Sequence, residues 1–249
     1  MDKTKELNNL FEKWEQQVKE ANNDYNDTFI RDGIVDLKTF DEQDKKVLFI
    51  SNEANIEGSK SSEKVYYKFG ENSDIRGEFT DYKTKKIDSY PDPNDKNKEV
   101  MSRGRMRERV CCLYQVIIND FSKKDTPYEL ADEFAFMNLN KTGGAANIDN
   151  RIVSFCEEFN EEIKREIDII HPDLIVWLGC NTLDNKIIRK CIGVDYSKGK
   201  YFYKKIPVIR MWHTSYYRSK CDKLGIFDNE IVDKLAYKLS KELESIDWH

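Results

Sequence analysis

The chain has 249 residues, of which 35% are charged and 39% hydrophobic, and its formal net charge is −5. This length suffices for one sizeable α/β domain, and the acidic balance does not by itself predict a nucleic-acid-binding protein. No apolar run reaches 18 residues and the first residues resemble neither a signal nor a transit peptide. We therefore predict a cytoplasmic protein without a membrane segment.

The first half of the chain predicts two helices and one strand. A helix over residues 4–21 carries apolar side chains at helical intervals: Leu7, Leu10, Phe11, Trp14 and Val18. The β-branched and aromatic run 45–51 predicts a buried strand. Residues 57–98 are mostly polar and form a long insertion or functional loop, and residues 99–120 predict a helix interrupted near Gly104.

The second half predicts strands that alternate with helices. A strand over 134–139 leads into the glycine-rich turn KTGGAAN, and a helix over 150–171 ends at Pro172. Strands over 173–179 and 206–212 follow, and residues 228–246 close the chain as a helix. Nearly continuous apolar strands separated by helices predict a parallel sheet with helices on both faces.

Cysteines and basic residues give two further expectations. The six cysteines include no C-x-x-C pair and no zinc-site spacing, so we predict free thiols and no metal. Residues 180–225 hold eleven Lys or Arg against three Asp. Such a stretch either follows the phosphates of a nucleic acid or is the solvated surface of a Lys-rich protein.

The predicted strands end in the polar sequences SNEANIEG, NLNKTGG, GCNT and HTSYYRS. In open parallel sheets, ligands bind just beyond the carboxyl ends of the strands. The four ends offer one carboxylate, several amides, glycine-rich backbone and one histidine flanked by aromatic residues. The fingerprints of P-loop, dinucleotide-binding and serine-hydrolase proteins are missing. This combination favours recognition of a planar, hydrogen-bonding ring and stabilisation of a departing anion.

These motifs resemble the uracil-DNA glycosylase superfamily, in particular the branch with the motifs Gly-Glu-Ala-Pro-Gly, Asn-Val-Val-Lys and His-Pro-Ser. KVLFISNEAN carries Glu53 and Ala54 in the first motif, and FAFMNLNK carries Asn138 and Lys141 in the second. IIHPDLIVWLG and IPVIRMWHTSYYR are similar to two further superfamily segments. The resemblance covers residues 45–56 and 130–220. No cysteine precedes Cys111, so the iron–sulfur cluster of that branch is not expected.

The resemblance implies a single domain over 1–249, folded as a three-layer α/β/α sandwich around a four-stranded parallel sheet. It implies a monomeric DNA glycosylase that cleaves the N-glycosidic bond of a flipped-out uracil or modified pyrimidine without a cofactor. A neutral His213 would stabilise the anionic base near O2, and Asn138 would read the O4/N3 edge. Glu53 would position water or support the sugar, together with Asn55.

The remaining residues implied by the resemblance form the pocket wall and the DNA contacts. Ala54, Tyr66, Tyr67 and Phe69 would join Asn138 against the base, and the DNA contacts would be Lys141, Ser215, Tyr216, Tyr217, Arg218 and Lys220. Two motifs depart from the pattern, because Asn55-Ile56 replaces Pro-Gly and His213-Thr214-Ser215 replaces His-Pro-Ser. We expect a rebuilt pocket that accepts an enlarged pyrimidine, such as a modified cytosine of phage DNA, in anti-phage defence.

Three plainer interpretations stay open for the same residues. His213 can be the polar exit of a strand, Asn138 a turn residue and Glu53 a solvent-facing acid. Two other functions use the same pocket: a catalytically silent protein that binds a flipped or single-stranded base, and a small-nucleotide hydrolase.

Overall fold

The computed structural model describes residues 3–21, 29–55, 90–92, 95–100, 104–120, 122, 127–144, 150–179, 186–211 and 228–246. The chain divides into two compact units, one of Met1–Gly77 with Asp132–Met211 and one of Glu78–Ala131 with Trp212–His249. Both contain helices and strands, so the predicted α/β class is confirmed. The prediction of a single domain over 1–249 stays a prediction.

Helices and strands are numbered here in chain order. They are α1 Lys3–Glu20, β1 Gly33–Ile34, α2 Leu37–Asp41, β2 Val47–Asn55, β3 Tyr90–Asp92, β4 Asp95–Val100, α3 Gly104–Ile118, a 3-10 helix Pro127–Asp132, β5 Ala135–Gly144, α4 Asn150–Glu158, α5 Asn160–Ile170, β6 Leu174–Leu178, a π-helical segment Lys186–Cys191, β7 Val194–Ser197, β8 Lys200–Tyr203, β9 Ile206–Met211 and α6 Asp228–Leu243.

The first unit is built on a mixed seven-stranded sheet with the order β1-β5-β2-β6-β9-β8-β7. Strands β5, β2, β6 and β9 pair in parallel. Strand β1 is antiparallel to β5 at one edge, and β8 and β7 add an antiparallel hairpin at the other. The sheet is therefore larger than the four strands that the sequence predicted.

The three additional strands were missed because they are short. Strand β1 has 2 residues, and β7 and β8 have 4 each, which is too few for a clear period of two. One sequence signal was nevertheless present between β7 and β8, namely the glycine at position 199. Lys198 and Gly199 adopt positive φ angles of 51° and 82°, which suit a two-residue hairpin turn of the primed type.

One face of this sheet packs against helices α1, α4 and α5. The apolar stripe of α1 is confirmed, since Leu7, Phe11, Trp14 and Val18 are all buried. They join one core with strand residues that include Leu48, Ile50, Met137, Ile175 and Trp177. Alternate side chains along a strand point to opposite faces, so these residues mark the helix-covered face.

The predicted helix over 150–171 is two helices. The break falls at Phe159, whose backbone lies outside the helical region with φ −108° and ψ 30°. His171 ends α5 in the left-handed conformation at φ 54°, and Pro172 follows it. The helical period continues across the break, so the apolar pattern did not reveal it.

Two other element boundaries were predicted wrongly. The first four residues of KTGGAAN are strand, because β5 continues to Gly144 alongside β2. The helix predicted over 99–120 begins at Gly104, and its first predicted residues belong to strand β4. Most of the insertion at 57–98 lies outside the described residues.

The second unit contains a small antiparallel hairpin and two packed helices. Strands β3 and β4 pair Tyr90 with Val100 and Pro91 with Glu99. Helix α3 packs against α6.

No described helix has both the length and the apolar character needed to cross a bilayer. Cys111, Cys112, Cys156 and Cys191 are not in disulfide bonds.

Replacement of Trp14 tests the packing of α1. Its ring is fully buried, 5.7 Å from the ring of Phe29 and 6.1 Å from that of Phe155, measured between centroids. We expect Trp14→Ala to lower the free energy of unfolding by about 3–5 kcal/mol, because it leaves a cavity in the core. In urea denaturation, the exposed neighbour change Glu12→Ala should shift this free energy by less than about 0.5 kcal/mol. Equal effects of the two changes would contradict this packing.

Candidate functional site at the carboxyl edge of the sheet

The carboxyl ends of the four parallel strands lie at one edge of the sheet. Ser51 of β2 lies opposite Asn138 of β5, and Glu53 lies opposite Asn140. Leu178 of β6 lies opposite Met211, the last residue of β9. His213 follows two residues later in the sequence and lies outside the described residues. The pairing therefore brings together the strand ends that lead into the sequence motifs.

The strand order creates a switch point between β2 and β6. In chain order, the parallel strands β2, β5, β6 and β9 occupy the spatial order β5-β2-β6-β9. The chain thus passes from β2 to one side of the sheet and later continues from β6 to the other. In doubly wound folds, the crevice at such a reversal is where ligands bind.

Asn52 and Gly179 meet at this switch point. The Asn52 side chain is buried, and its Oδ1 has no hydrogen-bond partner among the described residues. A β-carbon on Gly179 would lie 2.6 Å from that oxygen and 2.9 Å from Trp177 Nε1. The absence of a side chain at Gly179 therefore makes room for the Asn52 carboxamide.

Sequence reasoning missed both residues of this contact. Asn52 stands at the first glycine of the Gly-Glu-Ala-Pro-Gly pattern, and the sequence analysis gave it no role. The available signal was a glycine directly after a buried strand, which often marks a close approach to the backbone. The partner that makes this approach is visible only in three dimensions.

Asn138 is held by a carboxylate from outside the predicted motifs. Its backbone N–H donates to Asp32 Oδ2 over 2.7 Å, and its side-chain Nδ2 donates to the same oxygen over 3.0 Å. Both residues are buried, with 2% of Asn138 and 6% of Asp32 exposed. Asp32 directly precedes β1, the short strand that the sequence analysis did not find.

Lys141 lies in the interior, on the helix-covered face. Its ammonium group donates to Asp32 Oδ1 and lies 2.8 Å from Glu166 Oε2 of α5. The same Nζ is 5.6 Å from the ring centroid of Phe11 and 5.5 Å from that of Trp14. Lys141 is 0% exposed, so the structure does not support its predicted contact with DNA. Its positive charge pairs with buried carboxyl groups inside the protein.

The charges around Lys141 explain why Glu166 keeps its proton to an unusually high pH. Two ionised carboxylates around one ammonium would leave a net negative charge in the interior, where ionised groups are costly. Burial raises the pKa of Glu166 to about 8; Lys141 opposes this rise, while the negative charge of Asp32 adds to it. The pKa of Lys141 is also raised, because attraction to both carboxylates outweighs the opposing effect of burial.

The other predicted site residues are placed only in part. Glu53, Ala54 and Asn55 belong to the end of β2, but their side chains lie outside the described part of the structure. The remaining predictions also fall outside it: Tyr66, Tyr67, Phe69, His213, Ser215, Tyr216, Tyr217, Arg218 and Lys220. Their predicted roles stay predictions.

Comparisons with protein-family models, curated proteins and solved structures return no match to this chain. Within the described residues, no group of three or more His, Cys, Asp or Glu side chains is arranged to hold a metal ion. At the carboxyl edge of the sheet the structure describes buried side-chain amides, among them Asn52 and Asn138. Such a site can donate and accept hydrogen bonds toward a planar ligand.

The raised pKa of Glu166 predicts a pH dependence of stability. The unfolded chain releases this proton near the ordinary value of 4.5, whereas the folded chain keeps it up to about 8. The free energy of unfolding should therefore fall as the pH rises between these values, and this decline should end above about 8. Lys141 adds no slope here, because a raised lysine pKa acts only above 10.5.

Urea denaturation across this pH range checks the prediction. Glu166→Gln should remove the decline, because glutamine stays neutral at every pH. The exposed change Glu161→Gln on the same helix should retain the decline of the unmodified protein. A decline that persists unaltered in Glu166→Gln would contradict this account of the cluster.

Substitution of Gly179 tests its contact with Asn52. Gly179→Ala should lower the free energy of unfolding by about 1–3 kcal/mol, because the added methyl group overlaps the carboxamide. In the double variant with Asn52→Gly, that carboxamide is gone and the cost of the alanine should be reduced. A thermodynamic double-mutant cycle measures this coupling, and additive effects would show that the residues do not interact.

Proposed function

We propose that this protein is a DNA glycosylase that removes a flipped-out uracil or modified pyrimidine by cleaving its N-glycosidic bond. The observation that carries the proposal is the register at the carboxyl edge of the sheet. Ser51 lies beside Asn138, and Leu178 lies beside Met211, two residues before His213 in the sequence. Strand ends from four motifs, far apart in sequence, thus belong to one edge.

The order of the parallel strands also supports this proposal. Strands β5, β2, β6 and β9 agree with the four-stranded parallel core that the superfamily resemblance implies. In the proposed protein, β1 and the β7–β8 hairpin are additions at the two edges of this core. The three-layer sandwich is part of the same proposal.

The proposed chemistry divides between binding of the base and stabilisation of charge. Cleavage of the N1–C1′ bond leaves electrons on the base and positive character on the sugar. A donor from His213 near O2 would stabilise the base anion, and loss of such a donor typically costs about 10²–10³ in rate. Asn138 would bind the O4/N3 edge, while Glu53 would act on water or on the sugar.

The substrate has to be extruded from the helical stack before these groups can reach it. Base flipping costs a few kcal/mol in duplex DNA and less at damaged or unpaired positions. The replacement of Pro-Gly by Asn55-Ile56 changes the backbone after Glu53. An altered pocket wall supports an enlarged pyrimidine, such as a modified cytosine, as the target of a repair or anti-phage enzyme.

One observation favours a second candidate, a catalytically silent protein that binds a flipped base. Lys141 is buried and paired, so one of the expected phosphate contacts is lost from a chain with a net charge of −5. Weaker contact with the DNA backbone suits a sensor of single-stranded or already extruded bases. Such a protein would bind an oligonucleotide without releasing its base.

Oligonucleotides that contain uracil or 5-hydroxymethylcytosine test the enzyme directly. We expect strand scission after alkali treatment, since base loss leaves an alkali-labile sugar. His213→Ala should reduce this scission by about 10²–10³, through loss of the donor to the base anion. His171→Asn is the matched control, because His171 is exposed at a left-handed position that asparagine tolerates.

The outcomes separate the candidates. Binding without scission would support the silent protein, and release from free nucleotides alone would support a nucleotide hydrolase. Scission that survives His213→Ala unchanged would contradict the proposed mechanism. Scission lost equally in His171→Asn would show that folding, and not the proposed donor, limits activity.

A further inference from the structure

We infer that Asp32 is a positioning residue, which fixes the orientation of the Asn138 carboxamide and thereby sets which pyrimidine edge the site accepts. This inference rests on the proposed function, because it assumes that Asn138 reads the base. It assigns a role to a residue that lies outside the motifs from which the function was proposed.

The hydrogen bonds of Asp32 allow only one orientation of the amide. An ionised carboxylate accepts hydrogen bonds and cannot donate them. Asp32 Oδ2 accepts from the Asn138 backbone N–H at 2.7 Å and from its side-chain Nδ2 at 3.0 Å. Rotation of the amide by 180° would bring Asn138 Oδ1 against this oxygen and place two acceptors in contact. The amide nitrogen must therefore face Asp32.

The carboxylate is itself fixed on its other side. Asp32 Oδ1 accepts a hydrogen bond from Lys141, whose ammonium is also held by Glu166. The backbone is tied down nearby, because the Ile30 N–H donates to the Lys141 carbonyl over 2.6 Å. Just after Asp32, Gly33 pairs with Phe136 in the sheet. Asp32 therefore has little freedom to follow a reoriented amide.

The neighbouring amide of Asn140 is used differently. Its Oδ1 accepts from the backbone N–H and the hydroxyl of Thr142, over 3.0 Å and 2.8 Å. By contrast, Asn138 Oδ1 accepts no hydrogen bond from the described residues. Of these two buried amides, Asn138 is the one whose acceptor remains for a ligand.

A fixed amide distinguishes pyrimidines by the order of their donors and acceptors. Uracil presents the N3–H donor beside the O4 acceptor, whereas cytosine and its 5-substituted forms present the N3 acceptor beside the N4 amino group. An amide that is free to rotate can match either edge, but an amide held by Asp32 can match only one. The mismatched base leaves buried polar groups unpaired, which sites of this kind reject strongly.

The experiment compares uracil with 5-hydroxymethylcytosine in otherwise identical oligonucleotides. We measure kcat/KM for each substrate with the unmodified protein, with Asp32→Asn and with Glu166→Gln. An asparagine at position 32 that keeps its oxygen on the Lys141 ammonium turns its amide nitrogen toward Asn138, so it no longer holds Asn138 in the orientation that the carboxylate imposes. The ratio of the two kcat/KM values should move toward one by about 10-fold or more in Asp32→Asn.

Glu166→Gln is the matched control for damage to the cluster. It changes the other carboxylate around Lys141 and leaves both contacts between Asp32 and Asn138 in place. We expect it to retain the substrate ratio of the unmodified protein. A purely structural role of Asp32 would lower both kcat/KM values together and leave their ratio unaltered.

A second measurement does not depend on the folding of Asp32→Asn. In the unmodified protein labelled with ¹⁵N and ¹³C, NMR should detect coupling across the hydrogen bond from Asn138 Nδ2 to the Asp32 carboxylate. Rapid rotation of the amide without this coupling would overturn the inference.

The results separate this inference from the function on which it rests. No base release from either oligonucleotide by the unmodified protein would overturn the proposed glycosylase and the specificity role together. Base release with an unchanged ratio in folded Asp32→Asn would overturn the role of Asp32 alone. A collapsed ratio in Asp32→Asn with a retained ratio in Glu166→Gln would support both.

Discussion

The arrangement of the side of the sheet formed by β1 and β5 depends on the buried ammonium group of Lys141. It joins Asp32, which precedes the edge strand β1, to Glu166 of helix α5, and it lies on β5, the strand next to β1. A fully buried charge is tolerated only when it is paired, and removal of one partner typically costs about 3–5 kcal/mol. The cluster therefore connects the segment before β1, strand β5 and helix α5. The aromatic rings of Phe11 and Trp14 extend it to helix α1.

This charge cluster also determines the environment of Asn138. Because Lys141 keeps Asp32 in place, the carboxylate can hold both the backbone and the side chain of Asn138. Without this carboxylate, the side-chain amide could adopt two orientations of nearly equal size and shape. The interior of the protein thus supplies the fixed orientation that the proposed base-reading role of Asn138 requires. A core ion pair and the Asn138 amide share one carboxylate.

The switch point between β2 and β6 shows a different kind of constraint. There a carboxamide is accommodated by the absence of a side chain, since Asn52 lies against Gly179. The buried Oδ1 of Asn52 has no partner among the described residues, an arrangement that costs free energy unless something else repays it. Polar groups in this condition tend to occur at functional sites, and the contact lies at the switch point of the sheet, where doubly wound folds bind their ligands.

The sequence alone determined the helices and strands whose apolar pattern extends over many residues. The buried stripe of α1 and the apolar strands β2, β6 and β9 were predicted because burial on one or both faces imposes a clear pattern. Strands of two to four residues leave no such pattern, and the break at Phe159 preserves the helical period, so both were missed. For the site, Asn138 was predicted from its motif; the structure buries it within β5, and its contact with a base stays a prediction.

The partners of that site were decided by tertiary structure. Asp32 and Asn138 are 106 positions apart, and Lys141 and Glu166 are 25 apart, so no local pattern connects them. The resemblance implied that Lys141 contacts DNA, yet its two carboxylates and its aromatic neighbours hold it in the interior. A sequence records which side chains carry charge. Whether a charge meets solvent, a ligand or an opposite charge depends on which distant segments fold against it.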